Sequence, residues 1–308
     1  MSGRGRGNPR PERPAVRLTA GLQERLLVLQ MVAGDQMAAL RLAIALAFGL
    51  GTFGGAAAQD GARPGAGFFD AAALDDPAFG RCAWMTRTGP FVFQESDYIR
   101  GYFEPTNLAA YQQALPRPFG MPARPLIRIA FLDFYDMAQG PTYLETEVSI
   151  LGMDGAQPGW VVLTLPVTNG PACIGGRDLF GLAKVMRRIS FTRAADRYVG
   201  TLYARGAEKV DFTLTVAIGD PGAAAREFLR QYGVYPQFGL LNGKVLRFGG
   251  SGTSFAELAA RGDYQIKLGT ARLDVSPDPT SLANRLGIGA PLAAHWSRMR
   301  AKYSIKPL

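Results

Sequence analysis

A chain of 308 residues with 47% hydrophobic and 19% charged residues can bury a sizeable core and is too apolar to be intrinsically disordered. The net charge of +9 is uneven: residues 1–58 carry seven arginines against Glu12, Glu24 and Asp35, which leaves +5 dispersed over residues 59–308. No basic run is interleaved with aromatics, so nucleic acid is not an expected partner. A single histidine, His295, argues against zinc and most transition-metal sites, and a Ser/His/Asp triad would have to recruit that one residue.

The amino end reads as targeting sequence. Met37-Ala-Ala-Leu-Arg41 is a short basic start, Leu42 to Phe53 is an apolar run, and Ala56-Ala57-Ala58 precedes Gln59 as an A-x-A-like cleavage site. Residues 1–36 are then a disordered extension or a start-site error, and 37–58 a signal peptide. The apolar run is short for a membrane span. The expectation is a periplasmic or secreted protein with no stable membrane insertion after cleavage. Gly49-Leu-Gly51-Thr-Phe-Gly54 has the spacing of a dinucleotide fingerprint but lies within the apolar run and leads into no helix, so it is set aside. Two cysteines, Cys82 and Cys173, either pair in an oxidising compartment or stay as buried thiols.

Residues 59–88 form an irregular lead-in, and 89–308 a single domain. Phe91–Phe93 and Tyr98–Phe103 are aromatic and β-branched strands; Thr106–Leu115 is a short helix capped by Thr106 and stopped by Pro116. Leu126–Tyr135 is a largely apolar strand. In the next, Tyr143–Ile150, alternation puts Tyr143, Glu145, Glu147 and Ser149 on one face. Taken alone that face is expected to be solvated; in a sheet closed into a small barrel it would offer a carboxylate and a phenol to a ligand. Trp160–Leu165, Val185–Thr192, Tyr198–Tyr203, Lys209–Ile218 and Tyr264–Val275 are further strands. Pro221–Tyr232, Ser281–Leu286 and Leu292–Tyr303 are helix candidates, and Gly249–Gly252 is a flexible turn.

Lys184 is the first lysine of a chain that otherwise uses arginine for positive charge as far as residue 208. Its neighbours Phe180, Leu182, Ala183, Val185 and Met186 are apolar. Burial disfavours the ammonium form, and a free amine can attack a carbonyl, which a guanidinium cannot. The alternative is a snorkelling lysine with its head in water.

Around this residue, Gly176-Arg177-Asp178 and Ala183-Lys184 resemble the Gly-Arg-Glu turn and the Pro-Lys of the acetoacetate decarboxylase family. Gly89-Pro90-Phe91, Leu115-Pro116, Gly140-Pro-Thr-Tyr143-Leu-Glu145, Pro236–Leu246 and Gly269–Leu273 resemble further family segments in the same order. The resemblance implies a mainly β (α+β) fold, a closed antiparallel β-cone or barrel with peripheral helices. Its cavity would receive Lys184 as Schiff-base nucleophile, Glu145 as proton shuttle and Tyr143 as a substrate-orienting phenol. Arg177, holding the turn, and Phe180 are the remaining candidate substrate-binding residues. The implied activity is a carbon–carbon lyase, a decarboxylase or aldolase-dehydratase, acting on a small oxo acid such as acetoacetate or pyruvate. No metal or other cofactor is needed, and a homo-oligomer is compatible. Val185 stands where the family's decarboxylases carry a second lysine. Ser96, with Arg100 just beyond, stands where they carry an arginine on the first strand. An exported binding protein of the same fold, without turnover, is the alternative.

Overall fold

The computed structural model describes residues 76, 80, 82, 91–206, 209–248, 260, 262–300 and 303–305. The expected signal segment, the extension before it, most of the lead-in and the Gly249–Gly252 turn lie outside these residues. Among the described residues, no helix is long and apolar enough to cross a membrane.

Strands dominate. They are β1 (Phe91–Pro105), β2 (Ile127–Gln139), β3 (Tyr143–Asp154), β4 (Gln157–Val167), β5 (Lys184–Met186), β6 (Ile189–Arg193), β7 (Arg197–Tyr203), β8 (Val210–Ile218), β9 (Gln237–Leu241), β10 (Lys244–Phe248), β11 (Tyr264–Val275), β12 (Ile288–Met299) and β13 (Tyr303–Ile305). Among the described residues four named helices punctuate them: α1 (Leu108–Ala114), α2 (Gly170–Phe180), α3 (Gly222–Tyr232) and α4 (Leu282–Leu286). All strands share one sheet, ordered β10-β9-β4-β3-β2-β1-β12-β11-β8-β7-β6, with β13 on β1 and β5 on β4. The pairs are antiparallel except β4 with β5 and β4 with β9.

The sheet is not closed by hydrogen bonds as the resemblance implied, because no ladder joins β6 to β10 or to β4. The chain itself spans the gap. β5 is paired with β4 and β6 with β7, and only Arg187 and Arg188 separate them. The Arg187 amide still donates to Val167, and the Tyr203 amide donates to Arg188, so one bent segment is tied to both sides.

Several expectations change at the level of local chemistry. Phe91–Phe93 and Tyr98–Phe103 belong to one strand, interrupted by register shifts near Val92 and Glu95 rather than by a turn. Asn107, not Thr106, caps α1, its side chain accepting from the Ala110 amide at 3.0 Å. Leu292–Tyr303 is not helical: Ile288–Met299 pairs with β1 on one side and β11 on the other, because two neighbouring strands offer its backbone more than a lone helix would. Residues 170–180, where the family resemblance implied only a turn at Gly176-Arg177-Asp178, form α2. Asn169 caps its start, and Gly181 at φ 60° closes its end with amide bonds back to Gly176 and Arg177. Only glycine fits at 181, since a Cβ there would stand 2.6 Å from the Leu241 nitrogen of β9.

One sheet face buries the main apolar core, built from Ile99, Phe103, Ile127, Ile129, Phe131, Val148, Ile150, Phe212 and Leu214 with α1 and α4 packed on it. The opposite face carries two smaller apolar clusters. One gathers Phe91, Phe93, Tyr98, Phe134, Tyr143 and Met186 beside α2; the other gathers Tyr102, Leu126, Trp160, Phe228 and Tyr232 beneath α3. Polar side chains occupy the band between them.

Candidate active site

Ladder register determines which side chains share that band. Glu145 stands opposite Leu132, which stands opposite Tyr98, then Ser297 on β12. The adjacent row runs from Glu147 through Ala130 and Arg100 to His295. The register that sets Glu145 opposite Val167 on β4 continues this second row to Leu165, which faces Lys184 on β5. A third row holds Ser149, Arg128 and Tyr102. The β3 face expected to be solvated is therefore buried: Tyr143, Glu145, Glu147 and Ser149 are all inside, because α2, α3 and the strand ends cover it.

Lys184 is buried, and its Nζ donates to Glu145 Oε2 at 2.5 Å. Its Nζ also lies 5.7 Å from the Tyr143 ring centroid. Its stem runs over Gly176 of α2. A Cβ at 176 would come within 2.5 Å of Lys184 Cδ and 3.0 Å of Nζ, and closer still to Cε. Bare backbone at this turn is thus part of the lysine's seat. Gly176-Arg177-Asp178 lies within the helix, where the family resemblance implied a turn.

Burial pushes the Glu145 carboxyl above its ordinary value; Lys184 opposes the shift and the Glu147 charge adds to it. Burial likewise holds the Tyr143 phenol well above its usual range, with Glu145 and Tyr98 contributing, so it stays a neutral donor. Glu147 is fully engaged. Its Oε1 accepts from Arg128 Nε at 2.8 Å and Ser149 Oγ at 2.5 Å, and its Oε2 from Gln237 at 3.3 Å. Arg128 in turn lies 4.7 Å above Trp160.

The structure brings Lys184, Glu145 and Tyr143 together, and sets Arg177 and Phe180 elsewhere. Arg177 sits in the last turn of α2, where its Nε donates to the exposed Asp178 at 3.1 Å. Helical geometry points it outward, away from the face that receives Lys184. Phe180 packs edge-on against Phe248 of β10, with ring centroids 5.4 Å apart. Two arginines, Arg100 and Arg128, join the band instead. Alternation along Tyr98-Ile-Arg-Gly-Tyr102 was a usable signal for Arg100, and along Leu126-Ile-Arg128 for Arg128.

Val185 points the other way, into the main core, because successive strand residues alternate. It separates Lys184 from Met186, which lies in the aromatic cluster. Cys82 and Cys173 form a disulfide, which removes the alternative of two free thiols. It fastens the lead-in to α2 one helical turn before Gly176.

A β-rich fold that seats one buried lysine against a buried carboxylate defines a recognisable class. A model of the acetoacetate decarboxylase family matches residues 86–306, and the chain belongs to that family. The acetoacetate decarboxylase of Streptomyces nogalater is 28% identical over 130 residues, which are 42% of this chain and 49% of that protein. The match thus spans about half the length of that relative. Among solved structures, the acetoacetate decarboxylase of Legionella pneumophila superposes with a TM-score of 0.53 at 16% identity, covering 73% of this chain and 91% of that one. The enduracididine biosynthesis enzyme MppR, complexed with the condensation product of pyruvate and imidazole 4-carboxaldehyde, superposes at 0.51 with 12% identity, covering 73% and 92%. These two likenesses establish the fold.

Proposed function

We propose that the protein is a lyase that forms an imine between Lys184 and the carbonyl carbon of a small oxo acid. The observation that carries this reading is the 2.5 Å contact between Lys184 Nζ and Glu145 Oε2 in a buried site. The amine must lose a proton before it can attack, and Glu145, whose carboxyl is raised by burial, is placed to take it. Attack forms the carbon–nitrogen bond. The carbonyl oxygen is protonated and leaves as water. The resulting iminium draws the electron pair of a neighbouring carbon–carbon bond, releasing carbon dioxide, or after loss of an α-proton adds as an enamine to an aldehyde. Tyr143 presents a neutral phenol beside the amine. Arg100, in the same row as Lys184, is suited to receive the substrate carboxylate.

Family membership supports lyase chemistry, and the condensation product held by MppR is the kind of compound the enamine route yields. Because Val185 faces the core, the reading relies on burial and Glu145, not on an adjacent cation, to prepare the amine. Export to an oxidising compartment is part of the proposal, supported by the Cys82–Cys173 pair and the apolar segment ending at Ala58.

The test is borohydride trapping. The protein is incubated with acetoacetate or pyruvate, reduced and mapped by mass spectrometry, with Lys184→Ala as control. The expected result is a stable adduct on Lys184 near neutral pH, absent from the variant. A folded protein that no oxo acid labels at Lys184 would turn the assignment to a ligand-binding protein of the same fold.

A further inference from the structure

Four arginines in or beside the sheet hold carboxylates. Arg128 pairs with Glu147, Arg187 with Asp211, Arg193 with Asp97 and Asp133, and Arg298 with Asp97 and Glu95. Arg100 differs. Among the described residues no carboxylate lies within ion-pair distance of it, and its contacts are all electrically neutral. Its Nη1 is 3.5 Å from His295 Nε2 and 3.5 Å from Ser297 Oγ, and its guanidinium lies 5.0 Å from the Tyr98 ring centroid.

A guanidinium only donates, so the His295 contact requires Nε2 to accept and the ring proton to sit on Nδ1. An imidazolium could not accept. Burial, with Arg100 and Arg128 nearby, keeps the ring well below its ordinary pKa, and Tyr102 stacks on it at 5.9 Å. The imidazole is therefore a rigid, uncharged acceptor. An aspartate or glutamate at 295 would orient Arg100 equally well but would neutralise it.

We propose that His295 is a positioning residue that aims the Arg100 guanidinium while leaving its charge unspent, so that Arg100 forms a receptor for a carboxylate-bearing ligand. The proposal rests on the functional reading only in placing that carboxylate on the substrate. The anion receptor itself stands on the row geometry. It assigns specificity as well: ligands with a carboxylate are preferred over neutral carbonyl compounds of the same size.

The test uses 3-hydroxybutyrate, which has the carboxylate but no carbonyl and so cannot form an imine; its binding is separable from Lys184 labelling. Calorimetric titration compares the intact protein with His295→Phe, His295→Asn and His295→Gln, each checked for an intact fold by its melting transition. Loss of the charge-assisted bond in the Phe variant, and in the Asn variant whose shorter amide falls out of reach, weakens binding about tenfold. The Gln variant, which restores a neutral acceptor near the Nε2 position, recovers affinity to within about threefold. The inference is overturned if the intact protein does not bind the probe, if the folded Asn or Phe variant binds it as tightly as the intact protein, or if Gln loses as much as Asn.

Discussion

Gly176→Ala separates positioning from stability more cleanly than any substitution of Lys184 itself. Gly176 lies inside α2 and has no positive φ, so its backbone accepts alanine, and alanine is favoured over glycine in a helix interior by about 1 kcal/mol. The added methyl, however, would stand 2.5 Å from Lys184 Cδ and 3.0 Å from Nζ. Carbon atoms settle at about 3.5 Å, so the lysine stem has to move by about 1 Å. The stem is flexible, and it yields instead of the backbone. That movement breaks the 2.5 Å contact with Glu145. Losing the contact costs about 1–3 kcal/mol, offset by the helix gain, so the net change in stability is no more than about 2 kcal/mol. For a domain of this size that is a Tm shift of at most about 8 °C. Chemistry suffers far more, because a misplacement of about 1 Å at a reacting group costs about a hundredfold in rate. The assay is the rate of borohydride-trapped labelling at Lys184, measured beside a thermal melt. Labelling that is about a hundredfold slower in a protein that melts within that range is the expected result. Unchanged labelling in the alanine variant would refute the claim that bare backbone at 176 seats the amine.

Two further outcomes follow from the same contacts. The Cys82–Cys173 link closes a separation of 91 residues, so replacing both cysteines by alanine removes about 4.6 kcal/mol on the loop-entropy scale and lowers Tm by about 9–18 °C; a melt unchanged by the double substitution would show that the link does not stabilise the fold. His295 is held well below its ordinary pKa, so the unfolded chain takes up a proton near pH 6.5 that the folded protein refuses. Stability from this group is therefore present above pH 6.5 and lost as pH falls, by about 1.4 kcal/mol per unit. Urea titrations at pH 7 and 5 should show a loss greater in the intact protein than in His295→Gln by about 2 kcal/mol; equal losses would mean that the histidine is protonated in the fold.

The strands and the candidate site were not equally legible. Alternation in Tyr143–Ile150 and Lys209–Ile218 marked strands directly, because period two survives wherever two faces differ. It could not say which face was wet. Glu145 and Glu147 looked solvated until α2 and α3 were laid across them, and both helices come from segments distant in the chain. α2 itself was obscured by Gly170, Gly175 and Gly176, whose low propensity signals a loop, while its caps at Asn169 and Gly181 were legible but unused. Arg177 is a candidate only through the resemblance of Gly176-Arg177-Asp178 to the family's Gly-Arg-Glu turn. A helix turn sends it outward, and Arg100, from a strand 84 positions earlier, takes its place in the row. The same reasoning explains Val185. A cation directly after Lys184 on a strand would face the main core, among Ile189, Val148 and Leu163, where an unpaired charge is costly. With valine there, the core is satisfied and the burden of preparing the amine falls on the opposite face. That face supplies one carboxylate in contact with Lys184, a second neutralised by Arg128, and an arginine two strands away from Glu147 that no carboxylate discharges among the described residues. The two carboxylates are satisfied within the band itself, and on the proposed reading a ligand bearing a carbonyl and a carboxylate would offer the first to Lys184 and the second to Arg100, whose contacts are neutral.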